Sequence, residues 1–156
     1  MGARWSRMRA MAESATQTIT IAASPEHCFD VATDFPRYPE WAKDIKEAIV
    51  RERDSKSRAI EVEFRASALG RSTHYTLGYD YSAAPEKLSW RLIHGDIMRA
   101  IDGAYTFSAS VTGPGSTDVV YDLSIELVVP LPGFVKRRAE VRILNTVKEL
   151  KARAEA

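Results

Sequence analysis

A chain of 156 residues with 22 basic and 21 acidic side chains has a formal net charge of +1, which argues against a nucleic-acid or acidic-membrane partner. That length suits one domain that buries roughly 70% of the surface its unfolded chain exposes. The single Cys28 excludes an internal disulfide and a thiolate zinc cluster and suits a reducing cytoplasm, while no apolar run reaches the length of a bilayer span, so no stable membrane insertion is expected.

Residues Met1 to Met11 carry Arg4, Arg7 and Arg9 around Trp5. No apolar stretch follows, as a secretory signal would require. A flexible basic tail and an upstream start codon before Met11 both fit, and the expected boundary sets residues 1–14 as a flexible extension and 15–156 as one domain. The first strand is expected over Thr16 to Ala23, where Ile19 and Ile21 alternate with threonines. Ser24-Pro25-Glu26-His27 then reads as a helix start: a hydroxyl N-cap, proline at the first helical position and an acid facing the positive end of the dipole. Phe29 and Ala32, with Cys28 and Val31 beside them, form its apolar side.

Asp34-Phe35-Pro36-Arg37-Tyr38-Pro39-Glu40-Trp41 cannot be a long regular helix, because two prolines three apart fix φ and remove donors. Its aromatics nevertheless recur every third residue, so a short kinked helix would present them on one side. Such a face either plugs the core or walls a ligand cavity.

From Ile45 the apolar period becomes two. Ile60, Val62, Phe64, Ala66 and Ala68 alternate with polar residues. Tyr75, Leu77, Tyr79 and Tyr81 follow, then Leu88, Trp90 and Leu92, then Tyr105, Phe107, Ala109 and Val111, then Val119, Tyr121, Leu123, Ile125 and Leu127. Turn-forming loops at 54–57, 84–86 and 113–116 separate them. This is an antiparallel meander with one buried face. After Pro130-Leu131-Pro132-Gly133 the chain reads as one amphipathic helix, its stripe formed by Val135, Ala139, Ile143, Val147, Leu150 and Ala154. That helix must cover the sheet, since no other element has the apolar surface to do so. The expectation is an α+β helix-grip fold: a curved antiparallel sheet of about seven strands wrapped around a long C-terminal helix, with two short helices after the first strand.

Ser24-Pro25-Glu26-His27-Cys28-Phe29-Asp30-Val31, Phe35-Pro36-Arg37-Tyr38-Pro39-Glu40-Trp41, Gly115-Ser116-Thr117 before Tyr121-Asp122-Leu123, and the helix ending Leu150-Lys151 resemble the START-like SRPBCC superfamily over roughly Ala15 to Ala152. Within it the chain looks most like small bacterial polyketide cyclase/dehydrase and coenzyme Q-binding START-like proteins. The resemblance implies an internal cavity between sheet and terminal helix that accepts a hydrophobic molecule. It does not name a reaction, because the fold hosts many functions.

The three histidines, His27, His74 and His94, fall on different elements. His27 reads as part of the helix cap and His74 as solvated, while His94 continues the inward set to the cavity rim. No metal-ligand spacing is present, and no cofactor motif. Cys28 beside His27 is no nucleophile pair, because consecutive helical residues point about 100° apart; it reads as a small core residue. Four or more tyrosines on a covered face are unusual for a dry core, since each buried hydroxyl needs a partner. Their hydroxyls either reach water at the sheet ends or line a partly hydrated pocket. The candidate ligand contacts are Trp41, Phe64, Tyr75, Tyr79, Trp90, His94, Tyr105, Phe107, Tyr121, Phe134 and Ile143. A pocket of ~300–1,000 Å³ is expected. The expected function is binding of a lipid, quinone or polyketide-like aromatic, as monomer or homodimer. The alternatives are a cyclase or dehydratase using Tyr79, Tyr105 or His94 in the same cavity, and an interaction module without a ligand.

Overall fold

The computed structural model describes residues 12–68, 70–128 and 145–156. Seven strands, β1 (Ala12–Ile21), β2 (Ile45–Arg53), β3 (Ala59–Ala68), β4 (Arg71–Asp80), β5 (Lys87–Gly95), β6 (Met98–Ala109) and β7 (Thr117–Leu127), follow the period-two runs. They form one antiparallel sheet in the order β1-β7-β6-β5-β4-β3-β2. β1 starts at Ala12, before the expected Thr16, because its backbone pairs with β7 for ten consecutive residues from Ala12↔Glu126 onward. An edge ladder of this kind needs no apolar side chains, so the last residues assigned to the extension are paired strand.

Helix α1 (Pro25–Thr33) starts as its sequence dictates, with the Ser24 hydroxyl accepting the His27 N–H. The His27 ring is exposed. A single 3₁₀ turn (Phe35–Arg37) and the one-turn α2 (Tyr38–Trp41) follow, broken where the prolines break them. Here the aromatic segment divides its labour. Phe35 is completely buried, with ring centroids 4.5 Å from Tyr79 and 5.2 Å from Tyr38, so it plugs the core. The Tyr38 hydroxyl donates to the Ala32 carbonyl and ties α2 to α1.

Residues 145–155 form the described part of the terminal helix, α3. Val147, Leu150 and Ala154 from the expected stripe are buried in the core; Val135, Ala139 and Ile143 lie outside the described residues. Polar ties fix α3 at both of its sides. Lys151 Nζ donates to the Thr20 carbonyl at 2.9 Å and the Glu155 carboxylate accepts the Ala22 N–H at 2.8 Å. Opposite them, Arg153 pairs with Glu40 at 2.8 Å and the Glu149 carboxylate accepts the Lys43 N–H at 3.2 Å.

Two local features decide which side chains face the concave side. Leu77 pairs with Leu92 and Thr76 with His94, so Ile93 is an extra, bulged residue. The bulge reverses the parity of β5, and His94 stands exposed on the convex face. The other feature is Gly103, which pairs with Trp90. A Cβ there would fall 2.3 Å from Trp90 Cε2, so the indole lies directly on the β6 backbone.

Gly103→Ala is therefore expected to lift the indole and destabilise the fold by about 1–3 kcal/mol, the usual cost of overpacking. Chemical denaturation with the Trp emission maximum as probe checks this; an unchanged midpoint and spectrum would contradict it. Cys28 is completely buried and burial pushes its thiol pKa up. The native protein should therefore resist a thiol reagent and react fully only once unfolded. Fast labelling of native protein would show Cys28 to be accessible.

Candidate functional site

The concave face carries a row of rings across four neighbouring strands: Tyr79 on β4, Trp90 on β5, Tyr105 on β6 and Tyr121 on β7. Trp90 lies 5.8 Å from Tyr79, 5.2 Å from Tyr105 and 6.2 Å from Tyr121, and Tyr105 stacks on Tyr121 at 4.9 Å. On one side of this row the sheet is filled. Phe107 and Tyr81 meet Phe29 of α1 edge-on at 6.0 and 6.4 Å, closing that end. On the other side is a cavity of about 210 Å³. Aliphatic residues of β6, β7 and the turn before β6 form one wall: Ile97, Met98, Ile101, Leu123, Ile125 and Leu127. Phe64, stacked on Tyr75 at 5.5 Å, and Tyr38 stand on another. Asp44, Ser67 and Thr73, with Thr146 and Glu149 of α3, supply the polar lining. The volume falls below the expected ~300–1,000 Å³.

All six tyrosines of the chain have pKa values raised above the ordinary phenol value, which already leaves a tyrosine neutral at pH 7. Burial pushes the pKa values of Tyr38, Tyr75, Tyr79, Tyr105 and Tyr121 far up, reinforced at most of them by repulsion from neighbouring phenolates. Tyr81 is pushed up to about 12, again by burial first. Part of the surface of Tyr75 and Tyr79 is open, and both line the cavity. Tyr81 donates to the Ala59 carbonyl at 2.7 Å and Tyr121 hydrogen-bonds Thr146. Among the described residues no buried side-chain nitrogen or oxygen lacks a partner. A neutral phenol is both donor and acceptor, so the cavity offers several groups that can bind a carbonyl or hydroxyl oxygen.

Of the candidates from sequence, Phe64, Tyr75, Tyr79, Trp90, Tyr105 and Tyr121 come together around the cavity. Trp41 is half-buried against Tyr38, at 4.7 Å, outside the lining. Phe107 is buried beyond the ring row, 5.7 Å from Tyr105, and helps to close the sheet end. His94 is on the convex face, where it borders a shallow groove with Glu63, His74, Thr76 and Asp96. Phe134 and Ile143 lie outside the described residues. The sequence reading missed Asp44, Thr146, Glu149 and the aliphatic wall. Leu123, Ile125 and Leu127 carried a usable signal, since they continue the inward alternation of Tyr121; Asp44 in its loop carried none.

Asp96 shapes the rim without entering it. Its carboxylate accepts from the Thr73 hydroxyl and from the His74 and Ile97 N–H groups at 3.0 and 2.6 Å. These bonds keep its pKa below the ordinary carboxylate value against the opposing pull of burial. The turn that delivers Ile97 and Met98 is thereby anchored to β4. Among the described residues no three His, Cys, Asp or Glu side chains converge to hold a metal ion, and no helix is long and apolar enough to cross a membrane.

Solved structures share this architecture. A START superfamily protein from Mycobacterium smegmatis superposes with a TM-score of 0.82 at 26% identity, covering 91% of this chain and 97% of that one. A Thermus thermophilus protein gives 0.75 at 19%, covering 91% and 97%. An aromatase/cyclase from Streptomyces gives 0.73 at 15%, covering 92% and 94%. No curated protein sequence matches the chain significantly. The profile of the family described as polyketide cyclase / dehydrase and lipid transport matches residues 12–155, nearly the whole of the described fold, and the chain belongs to that family.

Proposed function

We propose that this protein binds a hydrophobic, ring-bearing small molecule with at least one polar oxygen, in a reducing cytoplasm where Cys28 stays a thiol. The observation that carries the reading is the row Tyr79–Trp90–Tyr105–Tyr121 beside a mostly apolar cavity with a few polar groups at its edge. Flat π-faces and an aliphatic wall favour planar apolar ligands. The neutral phenols then orient any oxygen the ligand carries, each hydrogen bond contributing about 1 kcal/mol. Membership of a family described by both cyclase and lipid-transport activities is compatible with a carrier and with an enzyme. The neutrality of the tyrosines bears on that choice. A protonated phenol can polarise a carbonyl but is a poor base, so in a cyclase or dehydratase here the tyrosines would serve as donors and the lining carboxylates, Asp44 and Glu149, would be the candidate bases.

Naphthoquinone should quench Trp90 fluorescence saturably in a Trp5→Phe, Trp41→Phe background. Tyr79→Phe and Tyr105→Phe should each weaken that binding by about 1 kcal/mol while leaving naphthalene unaffected. Absence of saturable quenching in the folded protein would defeat the binding reading.

The raised phenol pKa values also set an alkaline limit. A group whose folded pKa lies above its unfolded value contributes stability below the unfolded value and loses it as pH rises. With unfolded tyrosine near 10 and Tyr81 at about 12 in the fold, stability should be intact up to pH of about 10 and fall above it. Tyrosinate absorbance should accordingly appear together with loss of ellipticity. A tyrosine that titrates near pH 10 while the protein stays folded would mean that its ring is exposed to water.

A further inference from the structure

Glu149 is the feature of the cavity that the ring row does not explain. It follows Thr146 by three residues on α3, so both project from one side of the helix, and both line the cavity. Val147 and Leu150, beside them, are completely buried. One Glu149 carboxylate oxygen, Oε2, accepts the Lys43 N–H at 3.2 Å, which restrains the side chain before any ligand arrives. Lys43 precedes Asp44, whose side chain lines the same region. The charge of Glu149 also reaches the ring row: burial chiefly raises the Tyr105 pKa, and Glu149 adds to that in the same direction.

We propose that Glu149 is a specificity-determining residue that accepts a hydrogen bond from a ligand hydroxyl, so that the ligand class is a neutral hydroxylated aromatic. This rests on the binding reading above and narrows it. An ionised carboxylate only accepts hydrogen bonds, whereas the phenols across the cavity both donate and accept. The complementary ligand therefore presents a hydroxyl donor toward α3 and rests its rings on Trp90 and Tyr105. A ligand without a donor strips water from Glu149 and returns nothing, which is a penalty on the wrong ligand. A ligand carboxylate adds like-charge repulsion.

Calorimetric titration of the full chain with naphthol, methoxynaphthalene and naphthoate tests this, because the three share a ring system and differ in the group offered. The wild type should bind naphthol about tenfold tighter than methoxynaphthalene, as a hydrogen bond to a charged group implies, with naphthoate weakest. Glu149→Gln keeps an acceptor for the Lys43 N–H but removes the charge. It should shrink the naphthol preference from both sides, weakening naphthol and tightening methoxynaphthalene slightly as the desolvation penalty falls, and raise naphthoate affinity. A structural role alone would weaken all three probes alike, and that pattern overturns the proposal. So does equal binding of naphthol and methoxynaphthalene by the wild type, which leaves the binding reading standing. Failure of all three to bind overturns both.

Discussion

The site depends on how one indole is seated. Trp90 lies flat because Gly103 opposite it has no Cβ; any side chain there would occupy the space of the ring. Lying flat, the indole contacts Tyr79, Tyr105 and Tyr121 without filling the concavity above itself. Interiors pack densely by default, so a cavity persists only where something keeps large side chains down. Here that something is the absence of one methyl-sized group on a neighbouring strand. Glycine inside a strand weakens it and marks a close approach of another group.

Around that seat the two ends of the sheet differ in character. At one, α1 brings Phe29 against Tyr81 and Phe107, and the interior is solid. At the other, aliphatic side chains from β6 and β7 and a turn held by Asp96 surround open space. Phe35 stands between them, packed on Phe64 and Tyr79, and keeps the 3₁₀ turn from retreating into solvent. The same phenols therefore serve stability and recognition. Their burial raises pKa values that already lie above neutrality, and as neutral phenols they can both donate to and accept from a neutral ligand.

Much of this was legible in the sequence, for a physical reason. A strand alternates with period two, so the side bearing Tyr79, Trp90, Tyr105 and Tyr121 follows directly from spacing. Parity fails at a bulge. Ile93 inserts one residue into β5 and sends His94 to the opposite face, and no spacing argument detects that. Parity also says which face a residue occupies but not how far along the strand it sits, which is why Phe107 shares the face of the ring row yet packs on Phe29 outside the cavity lining. Asp44 and Glu149 come from a loop and from the flank of a helical stripe. Their place in the lining depends on how α3 docks, which is a tertiary outcome without a local signature.

The ties at α3 have a mechanical consequence. β1 and β2 are the two margins of the sheet, and one helix is fastened to each: to the end of β1 through Lys151 and Glu155, and to the junction ahead of β2 through Glu149 and Arg153. The helix thus spans the strip like a clasp, joined to both of its margins. The Lys151, Glu155 and Arg153 ties use charged side chains at the surface, where salt screens them, while the apolar contacts beneath strengthen in kosmotropic salts. The two margins and the helix are held together by charge at the surface and by apolar packing below it, and the two kinds of contact answer to salt in opposite directions.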